Sequence, residues 1–301
     1  MDTLRGIITV LNTPFTETDV LDLVSLRKNV ACALEAGAAG FLVPAMASEV
    51  GKLSTAERCA MLEIVVDEVA GRVPVIGGAS ADSSDERRVR AGEALAIGCD
   101  GVLVSVGYQN VDQYRREVYD IAELNPPFLM IQDWDFHGYG APVPLIARLF
   151  EEVGCFKCLK VEVVPAGVKY SEVLEATGGR LHVSGGWAVM QMIEALDRGV
   201  HAFMPTGMHG IYVEIYRRYH DVSRDSARAL FNELLPVLAF SNQHLDMSIH
   251  FFKRLLHQQG IYATPRVREP ILPFDSNHER IAAELIERVM ELASRVAKER
   301  D

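Results

Sequence analysis

A (β/α)8 TIM barrel with a C-terminal α-helical extension is the fold this 301-residue sequence predicts, on three observations. Short apolar stretches alternate with amphipathic ones eight times between Gly6 and Met204. The stretches are apolar on both faces, as strands covered on both sides must be. One junction also recurs, as Gly37-Ala-Ala-Gly40-Phe-Leu-Val, Gly98-Cys-Asp-Gly101-Val-Leu-Val and Gly199-Val-His-Ala202-Phe-Met-Pro. Glycine at its head suits the left-handed C-cap of a helix that feeds a strand. This alternation favours a closed parallel barrel over an open doubly wound sheet. No Gly-x-Gly-x-x-Gly or phosphate loop supports a nucleotide-binding sheet.

The strands are predicted at Gly6 to Leu11, Gly40 to Val43, Val73 to Gly78, Gly101 to Ser105, Phe128 to Gln132, Cys155 to Val161, Leu181 to Ser184 and Ala202 to Met204. An amphipathic helix from about Leu21 to Ala36 is stopped by Gly37. Ser54-Thr-Ala-Glu57 is a capping box that opens a helix running to about Ala70. Further helices are expected from Ser83 to Gly98, Pro144 to Val153, Val168 to Ala176 and about Ala188 to Arg198. After the eighth strand the pattern is almost wholly helical: Ile211 to Asp221, Arg224 to Ser241, Asp246 to Gln259 and Glu279 to Glu299. That exceeds one closing helix, so the barrel is assigned to residues 1–221 and a helical region to 222–301.

Composition narrows the class of function. A net charge of -11 excludes nucleic acid and anionic membrane as expected partners, since both demand basic surfaces. The opening Met1-Asp-Thr-Leu-Arg-Gly carries no basic leader, and no apolar run reaches spanning length, so a cytoplasmic protein is expected. Cys32, Cys59, Cys99, Cys155 and Cys158 are then free thiols. Cys155-x-x-Cys158 is read as core, because residues three apart on a strand face opposite ways and no second ligand pair completes a metal site. Neither metal nor cofactor is expected.

The residue that stands out is Lys160, near the end of a buried strand, Phe156-Lys-Cys-Leu-Lys-Val-Glu162. By the period of two, Phe156, Cys158 and Lys160 share a face, so an ammonium points where two apolar side chains point. A lysine so placed either pairs, snorkels to solvent or loses its proton, and the neutral amine is a nucleophile for carbonyl carbon. Barrels keep their chemistry at the carboxyl ends of the strands. Here those ends are Ala45 to Glu49, Gly77 and Gly78, Ser105 to Tyr108, Gln132 to Asp135, Lys160 with Glu162, Ser184 to Trp187, and Met204 to Gly207. Lys160 lies in that set, which favours catalysis over snorkelling.

The order and spacing of several short motifs resemble the dihydrodipicolinate synthase and N-acetylneuraminate lyase superfamily over nearly the whole chain. Asn12-Thr-Pro-Phe15 is similar to the family's opening strand, and Ala45-Met-Ala-Ser-Glu49 with Leu53-Ser-Thr-Ala-Glu57 to its second loop. Cys158-Leu-Lys160-Val is similar to the strand bearing its Schiff-base lysine, Ser184-Gly185-Gly-Trp to its seventh strand end, and Gly260 to Pro270 to its late Arg-x-Pro element. The resemblance implies an imine at Lys160 and a lyase, aldolase or dehydratase, acting on pyruvate or a sugar-derived 2-keto acid. It also implies a homodimer or homotetramer, with Tyr108 reaching a neighbour's site.

The departures are as informative. Met46 and Ala47 replace the family's two threonines, Ile131-Gln132 its tyrosine-asparagine, and Phe136 the arginine that holds a second carboxylate in the synthases. Lys160 and Tyr108 are therefore the catalytic candidates. Ala47, Ser48, Glu49, Gln132, Asp133, His137, Gly185, Gly186 and Met204 are the substrate-binding ones. Asp133, His137, Tyr139, Glu49 and Tyr108 compete for the acid-base role, while Met204 and His209 are expected to line the pocket. Dihydrodipicolinate synthesis proper, or keto-acid binding without turnover, are the alternatives. Gln132, Asp133, His137 and Trp187 would suit a polyol-bearing keto acid.

Overall fold

The computed structural model describes residues 4–300. Met1 to Thr3, part of the opening stretch read above as carrying no basic leader, and Asp301 in the assigned helical region lie outside the described residues. Eight parallel strands close in chain order: β1 (Gly6–Val10), β2 (Gly40–Val43), β3 (Val75–Gly78), β4 (Gly101–Ser105), β5 (Leu129–Asp135), β6 (Phe156–Val163), β7 (His182–Gly185) and β8 (Ala202–Phe203), with β8 paired back onto β1. The helices between them are α1 (Leu23–Ala36), α2 (Thr55–Val69), α3 (Ser84–Ile97), α4 (Val111–Ala122), α5 (Val143–Glu152), α6 (Ala166–Ala176) and α7 (Met192–Asp197). The chain continues through α8 (His209–Asp221), α9 (Arg224–Ser241), α10 (Leu245–Gln258) and α11 (Ser276–Arg300).

Local signals act as the sequence implied. Ser54 and Glu57 form the capping box of α2. The recurrent junction uses its glycine as expected: Gly37, Gly98 and Gly199 sit at φ 94°, 106° and 85°, where a side chain would strain the backbone. Strand residues divide between two cores. Ile7, Phe41, Val102, Leu159 and Val183 face the helices, whereas Ile8, Leu42, Ile76, Leu103, Met130 and Cys158 fill the barrel interior.

Two expectations about the middle of the barrel change. β5 and β6 run to Asp135 and Val163, three and two residues beyond their predicted ends, and stay paired all the way, with Glu162 inside β6. Phe156 does not share the inward face of Cys158 and Lys160. The β5–β6 register slips between Leu129 and Met130, with Leu129 opposite Phe156 and Met130 opposite Cys158. Lys157 is the extra residue of this bulge, and Phe156 turns out into the helix-facing core.

The start of α10 and the turn before it line the mouth of the barrel. Lys253 of α10 is fully buried and donates from Nζ to Glu49 Oε2 and, at 2.9 Å, to the Arg266 carbonyl. Burial moves its pKa down to about 8 against the pull of Glu49. Arg268 grips Glu57 with two nitrogens, at 2.6 and 3.1 Å, and donates its backbone N–H to Glu49 Oε1 at 2.9 Å. The second loop is thus clamped to α10 and the segment after it.

Candidate active site

A cavity of about 540 Å³ opens at the carboxyl end of the barrel, and Lys160 lines it. Alternation on β6 puts Cys158, Lys160 and Glu162 on successive inward positions: Cys158 lies in the apolar interior, Lys160 one step above it, Glu162 one step above that. Both charged residues are buried, at 6% and 7% exposure, and Lys160 Nζ lies 3.1 Å from Glu162 Oε2. The same carboxylate oxygen accepts a hydrogen bond from Gln132 Nε2, projected from β5 directly opposite Lys160 in the register. A buried ion pair is retained only if its partners are held in good geometry and their other valences satisfied. Gln132 supplies that hold.

Gly186, immediately after β7, makes room for the pair. A Cβ there would lie 2.1 Å from Glu162 Oε1 and 2.5 Å from Lys160 Cε. Its φ of -83° is open to any residue, so the glycine is required by space and not by backbone conformation.

One wall of the cavity is apolar and aromatic. Met46 and Ala47 come from the second loop, Trp134 and Phe136 from the end of β5, and Trp187 from beyond β7. The Phe136 ring lies between Trp134 and Trp187, at centroid distances of 5.4 and 5.6 Å. Met204, after β8, lines the cavity as expected. The second loop is fixed from below, by Asn12 Nδ2 on the Ala47 carbonyl at 2.7 Å and Thr13 Oγ1 on the Ser48 carbonyl at 2.5 Å. The tight turn Met46–Ser48 leaves the first backbone N–H groups, those of Met46 and Ala47, without a partner among the described residues.

Other predicted site residues have structural duties. Ser48 is fully buried, its Oγ donating to the Leu11 carbonyl and accepting from Ala45 N–H at 2.9 Å. Glu49 is consumed by Lys253 and Arg268 and does not line the cavity. Asp133 points out of the barrel, because it alternates with Gln132. Its carboxylate takes Lys169 Nζ at 2.5 Å and Ala141 N–H at 2.9 Å, and burial raises its pKa against the pull of Lys169. His137 is exposed on the loop after β5, its N–H bonded to Asp135 Oδ1, and Tyr139 is tied to Glu172 at 2.7 Å. Gly185 gives its carbonyl to Met204 N–H at 3.0 Å, which leaves Gly186 as the cavity glycine. Tyr108 is 38% exposed on the loop after β4, edge-on to Tyr114 and outside the cavity.

His209 also leaves the expected list. Fully enclosed, with its pKa lowered to about 4 by burial, it lies 3.3 Å from Thr9 Oγ1 and 3.0 Å from Asn29 Oδ1. Asn29 continues to the Tyr262 hydroxyl, and that hydroxyl to the Asn12 carbonyl at 2.6 Å. The acid-base candidates named from the sequence missed Glu162, although the signal was present: two residues past Lys160 on the same strand, it had to share Lys160's face. The cavity residues of α8 and of the α9–α10 junction, Tyr212, Asn242 and Ser248, carried no such signal.

Comparison with known proteins agrees with this architecture. Residues 3–289 match the model of the dihydrodipicolinate synthetase family. The chain is 41% identical to a 4-hydroxy-tetrahydrodipicolinate synthase of Methanopyrus kandleri, over 78% of this chain and 80% of that one. It is 26% identical to an L-2-keto-3-deoxyarabonate dehydratase of Azospirillum brasilense, over 89% of this chain and 88% of the relative. The solved 4-hydroxy-tetrahydrodipicolinate synthase of Methylacidiphilum fumariolicum superposes with a TM-score of 0.88, covering 98% of both chains at 20% identity, a likeness of fold.

Proposed function

The chain belongs to the dihydrodipicolinate synthetase family of lyases, and from that premise we propose that it dehydrates a 2-keto-3-deoxy sugar acid through an imine on Lys160. The observation that carries the reading is the buried Lys160–Glu162 pair, Nζ to Oε2 3.1 Å, at the floor of the cavity. The carboxylate takes a proton from the attacking amine, and the amine adds to C2 of the keto acid. Glu162 returns that proton to the departing hydroxyl, so that loss of water leaves the imine, whose nitrogen is an electron sink, and a carboxylate free to act again. Glu162, one hydrogen bond from that nitrogen, stands beside C3, the carbon next to the imine carbon. It removes a C3 proton, the C3 electron pair moves into the conjugated system, the C4–O bond breaks, and the departing hydroxide takes the proton as water. Hydrolysis frees the keto acid and Lys160.

Glu162 thus does what the tyrosine of the family resemblance would do, at a position where Ile131 has no proton to offer. The substrate carboxylate has the unpartnered N–H groups of Met46 and Ala47 within the cavity wall. Full-length similarity to a keto-deoxy sugar dehydratase supports elimination over carbon–carbon cleavage. Synthesis of dihydrodipicolinate is disfavoured by the lining itself. Among the described residues it has no arginine to clamp a second carboxylate, and Phe136 lies in the aromatic wall. We further propose that Tyr108 sits at a subunit contact, where its exposed ring would be covered.

Borohydride reduction with pyruvate is expected to add mass to the peptide carrying Lys160, and the purified enzyme to turn over 2-keto-3-deoxy pentonates or hexonates. Labelling that persists in Lys160→Ala would overturn the imine. A synthase rate with pyruvate and aspartate semialdehyde, lost in Lys160→Ala, would overturn the dehydratase.

A further inference from the structure

The cavity is also lined from the C-terminal helices, with Tyr212 on α8, Asn242 just after α9, and Ser248 in the first turn of α10. Each carries a polar atom that the fold does not use. The Asn242 Nδ2 amide is buried and has no hydrogen-bond partner among the described residues. Ser248, 8% exposed, and Tyr212, fully buried, likewise have hydroxyls without a partner among the described residues. Buried polar groups are mostly paired in proteins, because an unpaired one forfeits its hydration, and this fold also leaves others unpaired away from the cavity, the Tyr114 and Tyr170 hydroxyls among them. What sets Tyr212, Asn242 and Ser248 apart is that all three line one cavity, where a hydrogen-bonding ligand can meet them. The side chains of Met46, Trp134, Phe136 and Trp187 give the same cavity a mainly apolar surface.

Resting on the imine reading of Lys160, we propose that Tyr212, Asn242 and Ser248 form the subsite for the hydroxylated tail of the substrate, and so select a 2-keto-3-deoxy sugar acid over pyruvate-sized or aromatic keto acids. Two hydroxyls and an amide N–H₂ match the mixed donor and acceptor needs of vicinal hydroxyls. The geometry gives the ligand a direction. Its keto acid end lies at Lys160 and the Met46–Ala47 backbone, its tail runs to the α9–α10 junction, and its carbon skeleton lies along the aromatic wall. The specificity of the barrel then resides in a segment outside its eight strands.

The test compares wild type with Ser248→Ala, Asn242→Ala and the double variant, each checked for an unchanged thermal transition. Two readouts are taken on each protein: borohydride trapping of pyruvate at Lys160, and kcat/KM across 2-keto-3-deoxy pentonates, hexonates and an arylidene pyruvate. For the sugar acids, kcat/KM is expected to fall about tenfold per lost hydrogen bond relative to the rate of pyruvate trapping, mostly through KM. Wild type that traps pyruvate while the double variant keeps sugar-acid kcat/KM within twofold would overturn the subsite and leave the imine standing. So would preference of the wild type for the arylidene substrate, or trapping without turnover of any sugar acid. Failure of wild type to trap pyruvate would remove the imine reading and the subsite with it.

Discussion

Lys160 Nζ and Glu162 Oε2 lie 3.1 Å apart on consecutive inward positions of β6, and the Gln132 amide holds the same carboxylate oxygen from the neighbouring strand. An amine and a proton acceptor are thereby fixed to each other by strand geometry alone. If Glu162 carries the proton, Glu162→Gln should form the pyruvate imine more slowly and lose about 10²- to 10⁴-fold in kcat. A variant with full kcat would assign the proton transfer elsewhere.

Gly186 tests the same pair sterically. Gly186→Ala keeps an allowed backbone but drives a methyl group into Glu162 and Lys160, at 2.1 and 2.5 Å. Overpacking of this kind costs about 1–3 kcal/mol of stability. A displacement of about 1 Å at the reacting groups lowers the rate about a hundredfold. Circular dichroism should report a folded barrel and the activity assay a nearly silent one; wild-type kcat in the variant would contradict the geometry.

Acid sensitivity should come from two histidines far from the chemistry. His182, bonded to the Leu4 carbonyl under the barrel, and His209 are both held neutral by burial, with pKa lowered to about 4. In the unfolded chain each titrates near ~6.5. Between those values the unfolded state binds protons that the native state refuses, so stability is full above about pH 6.5 and falls as the pH drops towards 4. The loss is about 2–3 kcal/mol per histidine at the lower end. Denaturant titrations at pH 7 and pH 4.5 should show it, and His209→Gln should flatten part of the slope.

Tyr108 is expected to be covered in an assembly. Tyr108→Ala should weaken self-association at micromolar concentration, measured by sedimentation, with the monomer still folded. A wild-type protein that is monomeric and fully active would remove the subunit-contact role.

Much of the fold was legible because its signals are local. The junction glycines, the capping box of Ser54 and Glu57, and the eight apolar stretches each act within a few residues, and the structure uses each of them as read. Local alternation also implied that Glu162 shares Lys160's face, although the acid-base candidates passed it over. What sequence could not determine depends on which way a side chain leaves a strand relative to a bulge, and on what lies opposite. Asp133 looked like a site carboxylate until its outward turn gave it to Lys169, and Phe156 left the inward face because Lys157 is the extra residue of a β-bulge. Glu49 stood at a strand end in the right motif, yet Lys253 and Arg268, some two hundred residues away in the chain, claim both its oxygens. The same distance in sequence hid the lining residues Tyr212, Asn242 and Ser248. Nothing in a helical pattern says which helix end will line a barrel mouth, because that is settled by burial of whole faces and not by any neighbour in the chain.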